Sequence, residues 1–479
     1  MEPQTALPSW PAVDPRHGGV RLRPFRDDDA AMAMELSLDD YVPTIGTLPA
    51  EATPDQALAW IERQRQHHVR GTGFAFCIAD DASGRPLGHL ALTLQAELPD
   101  SGAMPETAAP LWDSLAETVR SGWCPGLVAG VRINGKTEIF ATGSLDYSGT
   151  EPMAEDTPFR ISSLSKMIGG ALAMSLVADG TLGLDDDVAR WLPALASPRV
   201  LVTPDAPLSM TVPARGPITL RHLLTFTAGL GIDFSASPYA AATRDLLWGP
   251  NPPAMTPEEY MARVGDLPLA HQPGDRWMYH ACADVLSVLL PVAAITPLRQ
   301  LIQERISGPF RLAGTGFPTG AERFPTVYEA DGGGGLREAV DYRDAMAQLP
   351  QFESLAGGMV STVPDFLTFL SALARDTVLP PALRQQMTDD QLTSRQRVGM
   401  VEMAGPDESW GFMTAVQIGP GASWSAPGMW GWSGGSGVSA AVYPDGDIGV
   451  VFTQRFLGSA QDSFDYFWEP FGALRKSLR

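Results

Sequence analysis

The amino-acid sequence predicts a mixed α/β fold of the α+β kind. An antiparallel sheet is contributed by both ends of a large domain, a helical domain is inserted between them, and a small α/β unit stands in front. Three observations point to this. At 479 residues the chain exceeds one ordinary core, so two domains are expected. Residues 95–110, QAELPDSGAMPETAAP, are polar and rich in Pro, Ala and Glu, and read as a linker. Strand-turn-strand patterns occur at 126–142 and again at 438–452, with apolar helical stretches between them. The expected division is therefore 1–94, a linker over 95–110, and 111–479.

The elements follow in order. VRLRPF at 20–25 reads as a strand, and 28–37 as a helix. A second helix begins at Thr53, a plausible N-cap with Pro54 at the first helical position and Trp60 and Ile61 following. Residues 74–79 and 87–94 form two further strands around the turn Asp81-Ala82-Ser83-Gly84. Beyond the linker, 111–121 is an amphipathic helix, and 126–133 pairs with 137–142 around Asn134-Gly135, a residue pair suited to a tight hairpin. At the other end, 438–443 and 448–452 form a hairpin over Pro444-Asp445-Gly446-Asp447, followed by a helix near 462–478.

Composition excludes several function classes. An apolar share of 44% with 19% charged residues is that of a globular protein. The net charge of -21 argues against nucleic acid or an anionic membrane as partner, because both would repel it. No apolar run approaches the length of a membrane span, and the N-terminus lacks the basic and apolar regions of a secretory signal. Cys77, Cys124 and Cys282 have no metal-ligand spacing and suit reduced thiols, so a cytoplasmic protein without metal or cofactor is expected.

Two serines compete as nucleophile. Ser433 sits in Gly431-Trp432-Ser433-Gly434-Gly435, a G-x-S-x-G match, but that motif requires a strand-to-helix turn, and here strand follows strand. Ser163 lies in FRISSLSKMI, where an apolar helix begins. Of the 34 basic residues only Lys136, Lys166 and Lys476 are lysines, and Ser163 is the only serine three residues before one of them. That spacing places Ser163 and Lys166 on one helical face, near the positive end of the helix dipole. Unlike arginine, a desolvated lysine can become a neutral amine and act as a base. His222, His271 and His280 leave a Ser-His alternative open.

Residues 111–479 resemble the serine β-lactamase and penicillin-binding-protein superfamily, in its class C-like branch with the family VIII carboxylesterases. FRISSLSK matches the S-x-x-K motif, and GTLGLDDDVARWLP, ITLRHLLTFTAGL and AGGMVSTVPDFLTFL match the surrounding phrases. PGDRWMYHACADVL places Tyr279 at the tyrosine of the second motif. Trp432-Ser433-Gly434 falls at the third, K-T-G in lactamases and W-G-G in the esterases.

The resemblance implies that Ser163 is the nucleophile, that Lys166 and Tyr279 carry its proton, and that the backbone amides of Ser163 and Gly435 form an oxyanion hole. It makes Trp432, Ser433, Gly434, His280 and Ala281 substrate-binding residues. Ala281 stands where lactamases have an amide-binding asparagine, and Trp432 where they have a carboxylate-attracting lysine. Small neutral acyl esters are therefore the expected substrates. Acyl transfer to a small alcohol or amine, as in the lovastatin-type acyltransferases this branch also resembles, is the alternative. β-Lactamase or D-peptidase activity and a silent binding protein are the remaining ones.

Residues 20–94 resemble the first half of a GNAT-type acetyltransferase, through VRLRPFRDDDAAMAMEL, TPDQALAWIERQRQ and GRPLGHLAL. The glycine-rich turn that would hold acetyl-CoA at a helix N-terminus is not found, since Arg70-Gly71-Thr72-Gly73 precedes a strand. A non-catalytic unit with a stabilising or protein-docking role is expected.

Overall fold

The computed structural model describes residues 10, 13–39, 48–49, 51–69, 73–93, 108–247, 252–333, 335–340, 342, 349–456 and 463–479. The chain divides into two compact units, residues 1–100 and 101–479. Most of the expected linker, and Arg70, Gly71 and Thr72 of the glycine-containing turn, lie outside the described residues.

In the first unit four antiparallel strands run in the order Arg16–His17, Val20–Arg23, Gly73–Asp80, Pro86–Thr93. Helices Ala30–Leu36 and Pro54–Val69 supply the other half of its core, in which Met32, Ala33, Trp60 and Ile61 pack with Phe25 and Cys77. Thr53 starts the second helix as expected: its backbone N–H donates to Gln56 Oε1 at 2.9 Å, and its hydroxyl accepts from the Gln56 N–H at 3.4 Å. A buried Arg23–Asp29 ion pair at 2.7 Å ties the sheet to the first helix.

The second unit is organised by a seven-stranded antiparallel sheet. We label its strands β1 (Gly126–Ile133), β2 (Lys136–Gly143), β3 (Glu408–Trp410), β4 (Ala415–Gln417), β5 (Trp430–Gly434), β6 (Val438–Val442) and β7 (Ile448–Phe452). Their spatial order is β3-β4-β5-β6-β7-β1-β2, so both ends of the unit do contribute to one sheet. The join is the β7–β1 pairing, Val450 opposite Gly130. Asn134 and Gly135 both take positive φ, 51° and 84°, as the tight turn between β1 and β2 demands. The short strands β3 and β4 are elements the sequence patterns did not disclose.

Helices α1 (Ala109–Arg120) and α2 (Asp465–Ser477) cover one face, burying Leu111, Leu115, Phe467, Trp468 and Phe471 against the strands. On the other face lies the helical insert. Its central helix α3 (Ser165–Ala178) is buried along eleven of its fourteen residues, so it is apolar all round where a surface helix would be amphipathic. Helix α4 (Ala281–Ala294) packs beside it, and helix α5 (Val363–Ala374) rests on β1 and β7. Gly130 makes that last contact possible, because a Cβ there would come within 2.4 Å of Leu367.

Candidate active site

Ser163 does not lie in the first turn of the α-helix itself. It occupies a 3-10 turn, Ser162–Leu164, immediately before α3, and Ser162 is held at φ 43°, a left-handed conformation that is costly for a residue with a Cβ. The strain is held in place from outside the turn. Ser162 Oγ donates to Ser436 Oγ at 2.7 Å, and Ser436 Oγ donates to the Arg160 carbonyl at 3.1 Å, so the segment after β5 clasps the serine turn. Gly434 fits there because it has no side chain: a Cβ would lie 2.9 Å from Ser162 Cβ and 3.0 Å from the Ile161 carbonyl.

Around Ser163 three elements converge. From the first turn of α3, Lys166 Nζ donates to Ser163 Oγ at 2.9 Å and also to the Ala356 carbonyl. Lys166 is wholly buried, in a chain that otherwise puts arginine at nearly every basic position. From the segment preceding α4, Tyr279 Oη donates to Ser163 Oγ at 2.7 Å. From β5, the indole N–H of Trp432 donates to Tyr279 Oη at 2.9 Å. The tyrosine ring is itself wedged among Phe226, Trp277, Trp410 and Trp432, with Lys166 Nζ 4.7 Å from its centroid. The hydroxyl of Ser163 thus faces an amine and a phenol, each fixed by a further partner.

A cavity of about 370 Å³ opens on this group. Ser163, Lys166, Tyr279, His280, Trp432, Ser433 and Gly435 all line it, together with Ile232, Met403 and Phe456. At Gly435 a Cβ would meet nothing within 4 Å, so the backbone there is open to a ligand. Ala281 and Gly434 are not lining residues. Ala281 is fully buried at the start of α4, and Gly434 is spent on packing against Ser162 and Val438, so neither supplies a wall contact.

Ser433 reaches the cavity from a strand, as its surroundings required. β4 pairs only with Trp430 and Gly431, which leaves the Trp432–Gly434 side of β5 clear toward the cavity. Its hydroxyl lies 3.0 Å from that of Ser439, which in turn accepts from the Trp468 indole at 3.1 Å. Among the described residues no base reaches Ser433.

The histidines do not form a Ser-His pair. His222 caps its own helix, accepting the Thr219 N–H on Nδ1 at 3.1 Å, and His271 lines a different cavity with Arg276 and Glu402. His280 does line the cavity, but burial, with the Lys166 charge adding to it, pushes its imidazole down to about 3 and keeps it neutral. Its Nδ1 has no hydrogen-bond partner among the described residues. Beside it, 3.9 Å away, is Asp284 Oδ2, on a carboxyl that burial raises to about 6 against the opposing effects of a Ser354 hydrogen bond and Lys166. Asp284, Ser354 and Ala356 were missed in the sequence. The available signal was a lone charged residue, an aspartate, in the mostly apolar helix ACADVLSVLLPVAA.

No cluster of three or more His, Cys, Asp or Glu side chains that could hold a metal occurs among the described residues. Nor is any single described helix long and apolar enough to cross a membrane.

The family model for Beta-lactamase matches residues 110–466, which contain Ser163, Lys166, Tyr279 and every residue lining the cavity. This chain belongs to the beta-lactamase family. Protein Rv1367c of Mycobacterium tuberculosis is 37% identical over 295 residues, covering 59% of this chain and 72% of that protein. Esterase EstB of Burkholderia gladioli is 30% identical over 306 residues, covering 59% of this chain and 73% of its own. Among solved structures, EstCE1, a hydrolase with promiscuous acyltransferase activity, superposes with a TM-score of 0.63 at 25% identity, over 77% of this chain and 98% of that one. As a member of the beta-lactamase family with esterase relatives, the chain is a serine hydrolase with a β-lactamase-like fold.

Proposed function

We propose that the protein hydrolyses small neutral carboxylic esters through an acyl-Ser163 intermediate. The observation that carries this reading is the convergence of Lys166 Nζ and Tyr279 Oη on Ser163 Oγ, at 2.9 and 2.7 Å, at the wall of a cavity. Ser163 Oγ attacks the ester carbonyl carbon while its proton passes to the Lys166–Tyr279 pair. The tetrahedral intermediate collapses, the carbon–oxygen bond to the leaving alcohol breaks, and the same proton goes to the departing oxygen. Water then repeats the sequence in reverse, releasing the acid and restoring Ser163. The amides of Ser163 and Gly435 would hold the oxyanion, and the open backbone at Gly435 supports this. Trp432 supplies a donor to Tyr279 Oη, which stabilises negative charge there whenever the phenol has given up its proton.

The substrate class is read from the walls. Ile232, Met403, Phe456 and Trp432 offer apolar surface, His280 is neutral, and no lysine stands at position 432 to attract a carboxylate. Steady-state hydrolysis of p-nitrophenyl butyrate compared with nitrocefin tests it: kcat/KM should be higher for the ester by more than the uncatalysed ratio of the two. Efficient nitrocefin turnover would replace the esterase reading with a lactamase one. Transfer of the acyl group to a small alcohol in place of water is the second reading, favoured by the acyltransferase activity named for EstCE1.

Residues 1–94 we read as an incomplete GNAT-like, non-catalytic unit, joined by a linker over 95–110 to the hydrolase domain 111–479, with a role in protein contact. A cytoplasmic location is supported by three cysteines that are all free and buried, Cys77 and Cys124 being pushed up to about 11 and about 12 by burial. Calorimetry of the full chain with acetyl-CoA should show no binding; a micromolar interaction would restore acetyl transfer to that unit.

A further inference from the structure

Lys166 has two hydrogen-bond acceptors, Ser163 Oγ and the Ala356 carbonyl. If the amine is to take a proton from Ser163, the direction of its lone pair is set by where its own N–H groups are tied, and the tie is the Ala356 carbonyl. What fixes that carbonyl is a chain of buried polar groups behind it. The Ala356 N–H donates to Ser354 Oγ at 3.1 Å, and Ser354 Oγ donates to Asp284 Oδ1 at 2.6 Å. The Leu355 N–H donates to Ser287 Oγ at 2.8 Å, one helical turn along α4 from Asp284. The 354–356 backbone is therefore hung on α4 by two side chains, of which only Asp284 can be charged.

Asp284 is 3% exposed, the single carboxylate among the residues lining the Ser163 cavity, and it takes no part in the chemistry proposed above. A buried carboxyl is costly in an apolar helix unless it serves something. The titratable groups facing it are Lys166 from α3, the neutral His280 at the head of its own helix, and the buried Tyr260 hydroxyl from helix Pro257–Asp266.

Resting on the Ser163–Lys166 reading of the site, we propose that Asp284 is a positioning residue, which orients Lys166 toward Ser163 through Ser354 and the Ala356 peptide. Ionised, Asp284 accepts a charge-assisted bond from Ser354 that holds the segment firmly; protonated, it accepts a weaker one. Its carboxyl, raised to about 6 by burial, changes state within the range in which an esterase is assayed. Turnover should accordingly fall as the pH drops through about 6, by loosening of the lysine and not by loss of substrate binding.

The test uses the full chain and p-nitrophenyl butyrate, with kcat and KM measured from pH 5 to 9 for wild type, Asp284→Asn, Ser354→Ala and the double variant. Fluorophosphonate labelling of wild type is run alongside. Asparagine keeps an acceptor for Ser354 and removes only the charge. Asp284→Asn should lower kcat about tenfold at pH 8 with KM within about twofold, and should abolish the limb near pH 6. Ser354→Ala should lower kcat to a similar degree, and the double variant should be little worse than either single one, since all three break the same chain. Wild-type kcat with an unchanged limb in Asp284→Asn, or purely additive losses in the double variant, would overturn the proposal. If Asp284→Asn does not fold, Ser354→Ala decides: retention of wild-type kcat at pH 8 refutes the relay. A wild type that neither turns over ester nor takes the probe overturns the serine hydrolase reading itself, and this inference with it.

Discussion

Ser163 and Ser433 line the same cavity and meet different fates. Ser433 has the flanking glycines that mark a nucleophile in other hydrolases, yet its hydroxyl is tied to Ser439 and through it to Trp468 of the C-terminal helix. Ser163 has no glycine beside it, but its hydroxyl receives both Lys166 Nζ and Tyr279 Oη. The difference teaches that nucleophilicity resides in the proton-accepting groups that reach a serine, and that a backbone motif matters only where it delivers them. On the reading proposed above, one serine belongs to the chemistry, and the other is bonded into the joint between sheet and helix.

Exchanging the two serines for alanine is the most direct way to break this comparison. Ser163→Ala should cost on the order of 10³-fold or more in kcat/KM and abolish fluorophosphonate labelling. Ser433→Ala should keep labelling and stay within about fivefold of wild type, because it loses one side-chain hydrogen bond away from the reacting atoms. Mass spectrometry of the labelled peptide distinguishes them: a label on Ser433 that survives Ser163→Ala would reverse the assignment.

The next largest effects should come from the groups that reach Ser163. Lys166→Arg keeps the hydrogen-bonding capacity, but a permanently charged guanidinium cannot take the Ser163 proton, so kcat should fall about 10²- to 10⁴-fold, nearly as far as in Lys166→Ala. Tyr279→Phe removes the second partner and should lose a comparable amount of turnover while the aromatic cluster around it persists. Robust activity in Lys166→Arg would show that the site uses a fixed charge and not a proton acceptor.

How much of this was legible before the structure depends on sequence distance. The Ser163–Lys166 pair is local, three residues apart across the entry to α3, so spacing alone exposed it. The hairpins were legible because alternation and a turn such as Asn134-Gly135 are also local. Tyr279 is 116 positions from Ser163 and became visible only through the phrase that surrounds it. Asp284 and Ser354, separated by 70 positions, and Lys166 and Ala356, separated by 190, carry no local pattern at all; only the folded insert brings them together. Strands β3 and β4, three residues each, are too short for alternation to register.

A smaller effect should follow from Trp432, which lies on the strand of Ser433 but donates to Tyr279, the partner of Ser163. Trp432→Phe preserves an aromatic wall and removes the donor to Tyr279 Oη, and about tenfold in kcat is the expected loss. Trp432→Lys restores a donor and adds a cation facing the cavity. Its ratio of nitrocefin to p-nitrophenyl butyrate turnover should rise, even with lower total activity. A ratio that stays at the wild-type value would mean that residue 432 reads only shape.

The smallest expected effect concerns stability and sharpens the contrast between a serine built into chemistry and one built into packing. Asp284 sits behind Ser163 with its carboxyl raised to about 6 by burial, so the folded chain binds that proton more tightly than the unfolded chain does. The stabilising contribution is complete below the ordinary carboxylate range and is lost as the pH rises through about 6, where the ion must be kept in a buried place. Asp284→Asn removes that cost. Its melting temperature should exceed that of wild type by about 2 °C or more at pH 8, and the gain should fall to roughly half by pH 5 and vanish only as the pH drops below the ordinary carboxylate range. His280 works in the opposite sense, because its depressed imidazole contributes stability above its unfolded value of 6.5 that is lost as the pH falls toward 3. Taking the difference between variant and wild type at each pH cancels this second contribution to first order. A variant that is more stable at pH 8 and slower in turnover would show a carboxylate kept for function at the expense of the fold. Ser433→Ala, removed from the packed joint with Trp468, should instead lose stability equally at both pH values. A pH-independent change in Asp284→Asn would place that aspartate, like Ser433, with the packing.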